Sequence, residues 1–134
     1  MFTYDQKIRV RYGETDAMGV VYHGSYPLYY EEARTEMLRS IGLSYAELER
    51  QGTMMPVVDM HIKYVASAFY DDLLTVRVSI KDLPTARIVF HYEVINERQQ
   101  VVNQAEVTLV FVDAATRRPR RAPQPMVDAI AARL

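Results

Sequence analysis

The chain begins with an alternation of apolar and charged residues, and the period then lengthens. The alternation between positions 7 and 12 predicts a half-buried strand over residues 2–12. From Tyr26 onward, apolar residues recur at positions 26, 30, 33, 37 and 41, which predicts one long amphipathic helix. Ser25 is placed to cap this helix, Pro27 suits its first turn, and Gly42 is placed to end it.

Four more strands are predicted after this helix. Ser44 and Glu47 form a capping-box pattern that predicts a short second helix ending at Gly52. Alternation or runs of Val, Ile and Phe then predict strands over residues 54–66, 73–81, 86–95 and 101–112. The tail, residues 114–125, is expected to be extended, and a short helix is expected to end the chain. An α+β domain has this order of elements: a strand, a long helix and then consecutive strands. We therefore predict a single domain over residues 1–134. In it, a five-stranded antiparallel sheet wraps around one central helix.

The predicted sheet has one face without a helix. If that face carries apolar residues, it favours a second subunit, because proteins rarely leave large apolar patches in water. We therefore expect a homo-oligomer.

Composition excludes several classes of function. A net charge of -1 argues against nucleic acid as a partner. The absence of cysteine excludes disulfides and a cysteine nucleophile, and His61 and His91 lie on different predicted strands, so no metal site is expected. Charged residues interrupt the amino terminus, which argues against a signal peptide, and no apolar run is long enough to cross a bilayer. We expect a cytoplasmic protein without a transmembrane segment.

The candidate chemistry is concentrated in the loop that precedes the long helix. Residues 13–25 contain three of the five glycines together with Glu14, Asp16 and His23. The amino terminus of a helix offers unpaired N–H groups that stabilise negative charge, as a developing oxyanion requires. Asp16 can attack a carbonyl or deprotonate a water molecule there. The alternative is that Glu14 and Asp16 are ordinary loop and capping groups.

Long segments of the chain are similar to one enzyme family. They read RVRYGETDAMGVVYHGSY, YYEEARTEMLR, PVVDMHIKY, YDDLLTV, NQAEVTLVFVD and RPRRAP. Together they resemble the YbgC-type acyl-CoA thioesterases, within the wider 4-hydroxybenzoyl-CoA thioesterase family of hotdog folds. The resemblance covers almost the whole chain. It implies a hotdog fold, hydrolysis of the thioester of an acyl-CoA, and a tetramer built from two dimers.

The resemblance also implies roles for individual residues. Asp16 matches the catalytic carboxylate, whose action as nucleophile or general base stays open. The backbone N–H at His23 matches the donor that polarises the thioester carbonyl, and Gly24 lies beside it. The His23 imidazole matches a histidine typical of the YbgC branch, and we include it among the catalytic candidates. This histidine favours aliphatic or otherwise nonspecific acyl groups, and the expected substrate is a short-chain or otherwise small acyl-CoA. Met18 departs from the branch, which often has glycine at this position. We therefore expect this chain to differ there in the acyl pocket or in the loop geometry.

Further residues are candidates for binding the substrate. Tyr22 is expected to line the acyl channel, and Glu31 the site, unless Glu31 is an ordinary helix-surface partner of Arg34. The tail arginines, which are Arg117, Arg118, Arg120 and Arg121, can bind the phosphates of coenzyme A or be simple solvated charges. Coenzyme A is then part of the substrate, and no cofactor is expected.

Two other functions are weaker interpretations of the same sequence. One is a non-catalytic acyl-CoA-binding scaffold or sensor, which does not need a carboxylate at the position of Asp16. The other is a hotdog dehydratase, whose characteristic His-Phe-Pro stretch is missing from the chain.

Overall fold

An antiparallel sheet packs on one long helix, as the sequence predicted. The computed structural model describes residues 1–134. The strands are β1 (Phe2–Arg9), β2 (Thr53–Met54), β3 (Val57–Tyr64), β4 (Leu73–Ile80), β5 (Arg87–Ile95), β6 (Val101–Asp113) and β7 (Pro119–Arg120). The helices are α1 (Tyr26–Ser40), α2 (Tyr45–Arg50) and α3 (Gln124–Ala131). None of these helices combines the length and the hydropathy needed to cross a membrane.

The sheet has two short strands more than predicted. Its order is β1-β4-β5-β6, and β6 also pairs with β3, β2 and β7. The predicted strand over residues 54–66 is divided into β2 and β3, since Pro56 has no N–H to donate to a ladder and the register shifts between Val57 and Asp59. The two-residue strands β2 and β7 both pair with the carboxyl end of β6.

The core lies between the sheet and α1. Alternate residues of the central strands, such as Val76, Phe90 and Leu109, are fully buried and face the helix residues Tyr30 and Met37, which are also fully buried. Burying an apolar side chain of this size contributes roughly 1.5–3 kcal/mol. This inward face therefore fixes α1 against the sheet, and with it the loop that leads into α1.

The outer face of the sheet is polar, contrary to the apolar face considered above. It displays Thr3, Asp5, Lys7, Thr75, Arg77, His91, Glu93 and Glu106. Exposed apolar residues lie instead along β3, where Val57 and Val58 are 42% and 57% exposed, and in the segment that follows it. Because β3 pairs only with β6, its other edge is open. The surface suited to a second copy is this edge.

The ends of α1 are only partly as predicted. Gly42 has a φ of 84° just beyond the helix, the left-handed conformation that glycine favours. Ser25 does not cap the helix, because its hydroxyl donates instead to the carbonyl of Glu14 at 3.0 Å. Arg34 is buried, and its Nε donates to the Tyr45 hydroxyl at 3.2 Å, so the surface pair between Glu31 and Arg34 that was the alternative for Glu31 does not form.

Candidate active site

A cavity of about 330 Å³ opens where the loop after β1 meets the first turn of α1. Its walls come from residues 16–26 of the loop and helix and from residues 64–68, which end β3 and follow it. The two walls are joined by a hydrogen bond from the N–H of Val21 to the carbonyl of Ala68 at 2.8 Å. Most of the lining is apolar, so the polar groups that do face the cavity are few.

Asp16 occupies a tight turn that fixes one of its carboxylate oxygens. Its Oδ1 accepts hydrogen bonds from the N–H of Met18 at 2.9 Å and of Val20 at 3.4 Å. The N–H of Gly19 closes the turn on the Asp16 carbonyl at 2.9 Å, and Gly19 takes the left-handed conformation with a φ of 80°. The second oxygen, Oδ2, accepts no hydrogen bond from the chain, and Asp16 is one of the residues that line the cavity.

The turn that contains Met18 does not require glycine at this position, where the branch often has one. The residue of this turn with positive φ is Gly19, and Met18 has an ordinary backbone conformation. The side chain of Met18 is 81% exposed and borders the cavity. The departure therefore changes the mouth of the cavity rather than the geometry of the turn.

Hydrogen bonds to Glu14 connect the loop with Arg11, which follows β1, and with Tyr29 of α1. Its Oε1 accepts hydrogen bonds from the Arg11 N–H at 2.8 Å and the Tyr29 hydroxyl at 3.0 Å, and its Oε2 accepts from the Arg11 guanidinium at 3.0 Å. Its carbonyl accepts from the Tyr22 N–H at 2.8 Å and the Ser25 hydroxyl at 3.0 Å. Burial alone raises the pKa of Glu14, but the hydrogen bonds from Arg11 and Tyr29 outweigh it, so this pKa lies below its usual value.

A 3-10 turn over His23–Ser25 leads into α1 and leaves backbone donors free. The N–H groups of His23 and Gly24 donate no hydrogen bond within the chain. The carbonyl of His23, by contrast, accepts a hydrogen bond from the Tyr64 hydroxyl at 3.0 Å. A Cβ at Gly24 would lie 2.6 Å from a ring carbon of Tyr22, so a larger residue here requires the Tyr22 ring to move. Asp16 and His23 both line the cavity, and a carboxylate together with free N–H groups is the combination that acyl transfer uses.

Tyr26 adds a neutral hydroxyl to the cavity wall. The residue is only 3% exposed, and its ring packs edge-on against those of Tyr29 and Tyr64. Its hydroxyl makes no hydrogen bond to the chain. Burial, followed by the nearby Tyr64 and Asp72, raises the pKa of Tyr26 to about 12. The hydroxyl therefore stays protonated and can act as a donor.

The predicted site residues separate into two groups. Asp16 and His23 border the cavity, and Gly24 and Tyr22 lie beside it, with the Tyr22 ring 4.3 Å from that of His23. Glu31 is exposed on α1 and does not line the cavity of its own chain. No group of His, Asp or Glu side chains is arranged to hold a metal ion.

The tail arginines are far from this cavity within one chain. The cavity adjoins the amino end of β6, where the N–H of Val65 donates to the carbonyl of Val102 at 3.0 Å. Arg120 pairs instead with Phe111, near the carboxyl end of the same strand. At about 3.3 Å per residue, roughly 30 Å of strand separates the two places.

Sequence reasoning missed the second wall of the cavity. By pattern, Tyr64 falls among the apolar positions of its predicted strand, and Tyr26 among those of the predicted helix. Residues 65–68 carry no distinctive motif. Because the strand is predicted to run to residue 66, no local pattern indicates that β3 ends at Tyr64 and that its side chain reaches a neighbouring element.

The chain is similar to known thioesterases in sequence and structure. Residues 10–134 match the thioesterase-like superfamily. The acyl-CoA thioester hydrolase YbgC of Escherichia coli O6:H1 is 39% identical over 120 residues, which are 90% of each chain. A DHNA-CoA thioesterase from Staphylococcus aureus is 32% identical with a TM-score of 0.93, over 98% of this chain and 91% of that one. A 1,4-dihydroxy-2-naphthoyl-CoA thioesterase from Synechocystis is 27% identical with a TM-score of 0.90, over 96% of both chains.

Proposed function

The chain belongs to the thioesterase-like superfamily with the hotdog fold and is an acyl-CoA thioester hydrolase, and we propose that Asp16 performs its chemistry on small acyl groups. The observation that carries the proposal is that one cavity is lined by both Asp16, whose Oδ2 accepts no hydrogen bond from the chain, and His23, whose N–H donates none. The first group can attack or activate water, and the second can accept the charge that develops.

Asp16 acts on the thioester carbonyl in one of two ways. As a nucleophile, Oδ2 bonds to the carbonyl carbon, the coenzyme A thiolate leaves and takes up a proton, and water then cleaves the mixed anhydride. As a general base, Asp16 takes a proton from water while the water oxygen attacks the carbon, and the tetrahedral intermediate then releases the coenzyme A thiolate, which takes up a proton. In both routes Oδ1 stays bound to the N–H of Met18, so only one oxygen of the carboxylate is used.

The backbone at the start of α1 stabilises the tetrahedral intermediate. Its oxyanion accepts hydrogen bonds from the N–H of His23 and of Gly24, with the helix dipole adding to their effect. The imidazole of His23 is exposed at the rim and stacks on Tyr22. We propose that the imidazole assists the reaction from the rim of the cavity and that Tyr22 contacts the substrate.

The acyl group is proposed to be short or otherwise small. A cavity of about 330 Å³ with valine and alanine walls accommodates a short apolar chain or a single ring. Coenzyme A enters as part of the substrate, and no separate cofactor is needed. Glu31 is proposed to contribute only from outside this cavity.

We propose a homo-oligomer whose dimer is formed by the open edge of β3. What supports this is the free edge itself and the exposed Val57 and Val58 upon it. Two copies of β3 that pair antiparallel across a two-fold axis join the two sheets. The further association of two dimers into a tetramer is proposed from the family resemblance.

This pairing gives the tail arginines a role in the neighbouring site. Antiparallel pairing reverses the partner, so the carboxyl end of the second copy's β6 approaches the cavity end of this one. Three strand spacings, about 15 Å, then separate the two β6 strands. We propose that Arg117, Arg118, Arg120 and Arg121 hold the coenzyme A phosphates bound at the other subunit, because guanidinium groups bind phosphate well.

The test is a hydrolysis screen of the purified protein over acyl-CoA chain lengths and aromatic acyl-CoAs, with release of the free thiol as the readout. We expect turnover that falls as the acyl group outgrows the cavity. Tight binding without any turnover contradicts the proposal and favours an acyl-CoA sensor. Sedimentation at micromolar concentration tests the assembly, and a stable monomer contradicts it.

A further inference from the structure

The hydroxyl of Tyr64 reaches from the sheet edge to the backbone at the start of α1. It donates to the carbonyl oxygen of His23 at 3.0 Å. The ring of Tyr64 also meets the ring of Tyr26 edge-on at 5.8 Å and that of His23 at 6.5 Å. One hydrogen bond and two ring contacts therefore hold the Tyr64 side chain in place against the His23 carbonyl.

The other end of Tyr64 is fixed as well. Tyr64 stands opposite Asn103 in the pairing of β3 with β6. Asn103 is fully buried, and its Oδ1 accepts a hydrogen bond from the Tyr30 hydroxyl of α1. β3, which carries Tyr64, is thus tied through its partner strand β6 to α1, the helix that follows the turn held by the Tyr64 hydroxyl.

Holding this carbonyl also orients a backbone donor. The carbonyl of His23 and the N–H of Gly24 belong to one planar peptide unit, in which they point in opposite directions. Carbonyls in a helix point towards its carboxyl end, so the Gly24 N–H points out of the amino end of α1. A hydrogen bond to the carbonyl also polarises the peptide and makes its N–H a stronger donor.

We propose that Tyr64 is a positioning residue for thioester hydrolysis, which holds the His23–Gly24 peptide so that the Gly24 N–H donates to the oxyanion. This inference rests on the proposed function. Tyr64 forms and breaks no bond in the reaction, because it acts through the peptide. Its effect is therefore confined to the tetrahedral intermediate and the transition states beside it, and ground-state binding is left as it is.

Tyr64→Phe removes this hydrogen bond and leaves the ring in place. Loss of one hydrogen bond typically costs about a factor of ten when its full value is felt in the transition state. We expect kcat to fall about tenfold with KM unchanged. Tyr70→Phe is the matched control, because Tyr70 is another exposed tyrosine, whose ring lies on Tyr12 and not in the cavity. We expect parental kinetics from this control.

A partly misfolded sample also lowers kcat at constant KM, so the number of intact sites must be counted. Titration with a coenzyme A thioether analogue gives both its Kd and its stoichiometry, and both should equal those of the parent in Tyr64→Phe. A kcat within about twofold of the parent, a raised KM, or a loss of binding sites in proportion to kcat overturns the inference. If the parent protein itself hydrolyses no acyl-CoA, the proposed function has failed instead, which the same assay distinguishes.

Discussion

The two ends of β6 present opposite kinds of surface. At the amino end, beside Val102, the Asp16 turn and the His23 turn are held by many short hydrogen bonds. At the carboxyl end, Arg117 and Arg118 are exposed and form no ion pair with an acidic side chain. The amino end resembles a preorganised reaction centre, whereas the carboxyl end presents exposed, unpaired charges on a hydrogen-bonded turn.

This difference matches two different demands on a hydrolase. Groups that stabilise a transition state must be in position beforehand, because moving them during the reaction costs free energy. Groups that hold charged phosphates in water can be flexible, because Coulomb attraction tolerates several arrangements. Changes at the amino end should therefore lower kcat, and changes at the carboxyl end should raise KM.

The largest effect is expected from Asp16→Asn. The amide keeps the shape and the acceptor Oδ1, but it has no negative charge and cannot take up a proton. Turnover should fall about a thousandfold or more, in line with losses of roughly 10²–10⁴ for general-base catalysis. Steady-state hydrolysis of the best acyl-CoA substrate measures this.

Binding provides the control for that variant. The backbone donors and the cavity are unchanged in Asp16→Asn, so a nonhydrolysable acyl-CoA analogue should bind with near-parental Kd. A variant that still hydrolyses acyl-CoA within a few fold of the parent would mean that another group carries the chemistry.

A smaller effect is expected at the other end of β6. Replacing the four tail arginines with alanine should raise KM about tenfold and change kcat little, because phosphate contacts are made equally in the ground and transition states. This increase in KM should become smaller at higher salt concentration, because salt screens the charges. An unchanged KM at low salt removes these arginines from the binding site.

Mixed oligomers test whether the tail arginines serve the neighbouring site or the site of their own chain. One subunit carries Asp16→Asn and an intact tail, and the other carries intact Asp16 and the four alanines, with different tags for purification. If the arginines serve the neighbouring site, one site in each dimer is fully parental, so we expect about half the parental kcat at the parental KM. A raised KM in this hybrid shows that each tail serves its own chain.

The smallest effect concerns the stability of the loop. Glu14→Gln removes the ion pair with Arg11 and should cost about 1–2 kcal/mol, a few degrees in Tm, at neutral pH. The pKa of Glu14 is lowered by folding, so its stabilisation is complete above the usual value of 4.5 and is lost as the pH falls through the lower folded value. Thermal unfolding of parent and variant should therefore differ at pH 7 and converge in acid.

Glu36→Gln is the control for this measurement. Glu36 also lies three residues from an arginine, Arg39, but both side chains are exposed, at 36% and 59%. Exposed pairs of this kind contribute little. A Tm difference in Glu14→Gln that is no larger than in Glu36→Gln, or that persists in acid, contradicts the role given to Glu14.

Local patterns predicted most of the elements, because each follows from the periodicity of a few neighbouring residues. The long helix, the short helix that begins after Ser44 and the strands β4, β5 and β6 lie close to where the sequence placed them. Resemblance to a family predicted the hotdog fold and the thioester hydrolase, and the comparisons confirm both. The roles of Asp16 and His23 and the cytoplasmic location stay predictions.

Long-range contacts were the part that local patterns could not supply. Ser25 has the sequence signature of a cap, yet a carbonyl eleven residues earlier competes for its hydroxyl. Arg34 falls on the polar side of its helix by sequence spacing, yet Tyr45 of the next helix encloses it. The contact between Tyr64 and His23 joins residues 41 positions apart, and no periodicity predicts such a pair.

The exposed side chain of Met18 has a consequence for how the protein responds to oxidants. A chain without cysteine has no thiol to oxidise, yet methionine can be converted to its sulfoxide. Met18 is 81% exposed at the mouth of the cavity, and its own N–H holds Asp16. A sulfoxide there adds a polar, chiral oxygen to an apolar rim. Mild peroxide treatment is therefore expected to alter access of the acyl group, and methionine sulfoxide reductase to restore it.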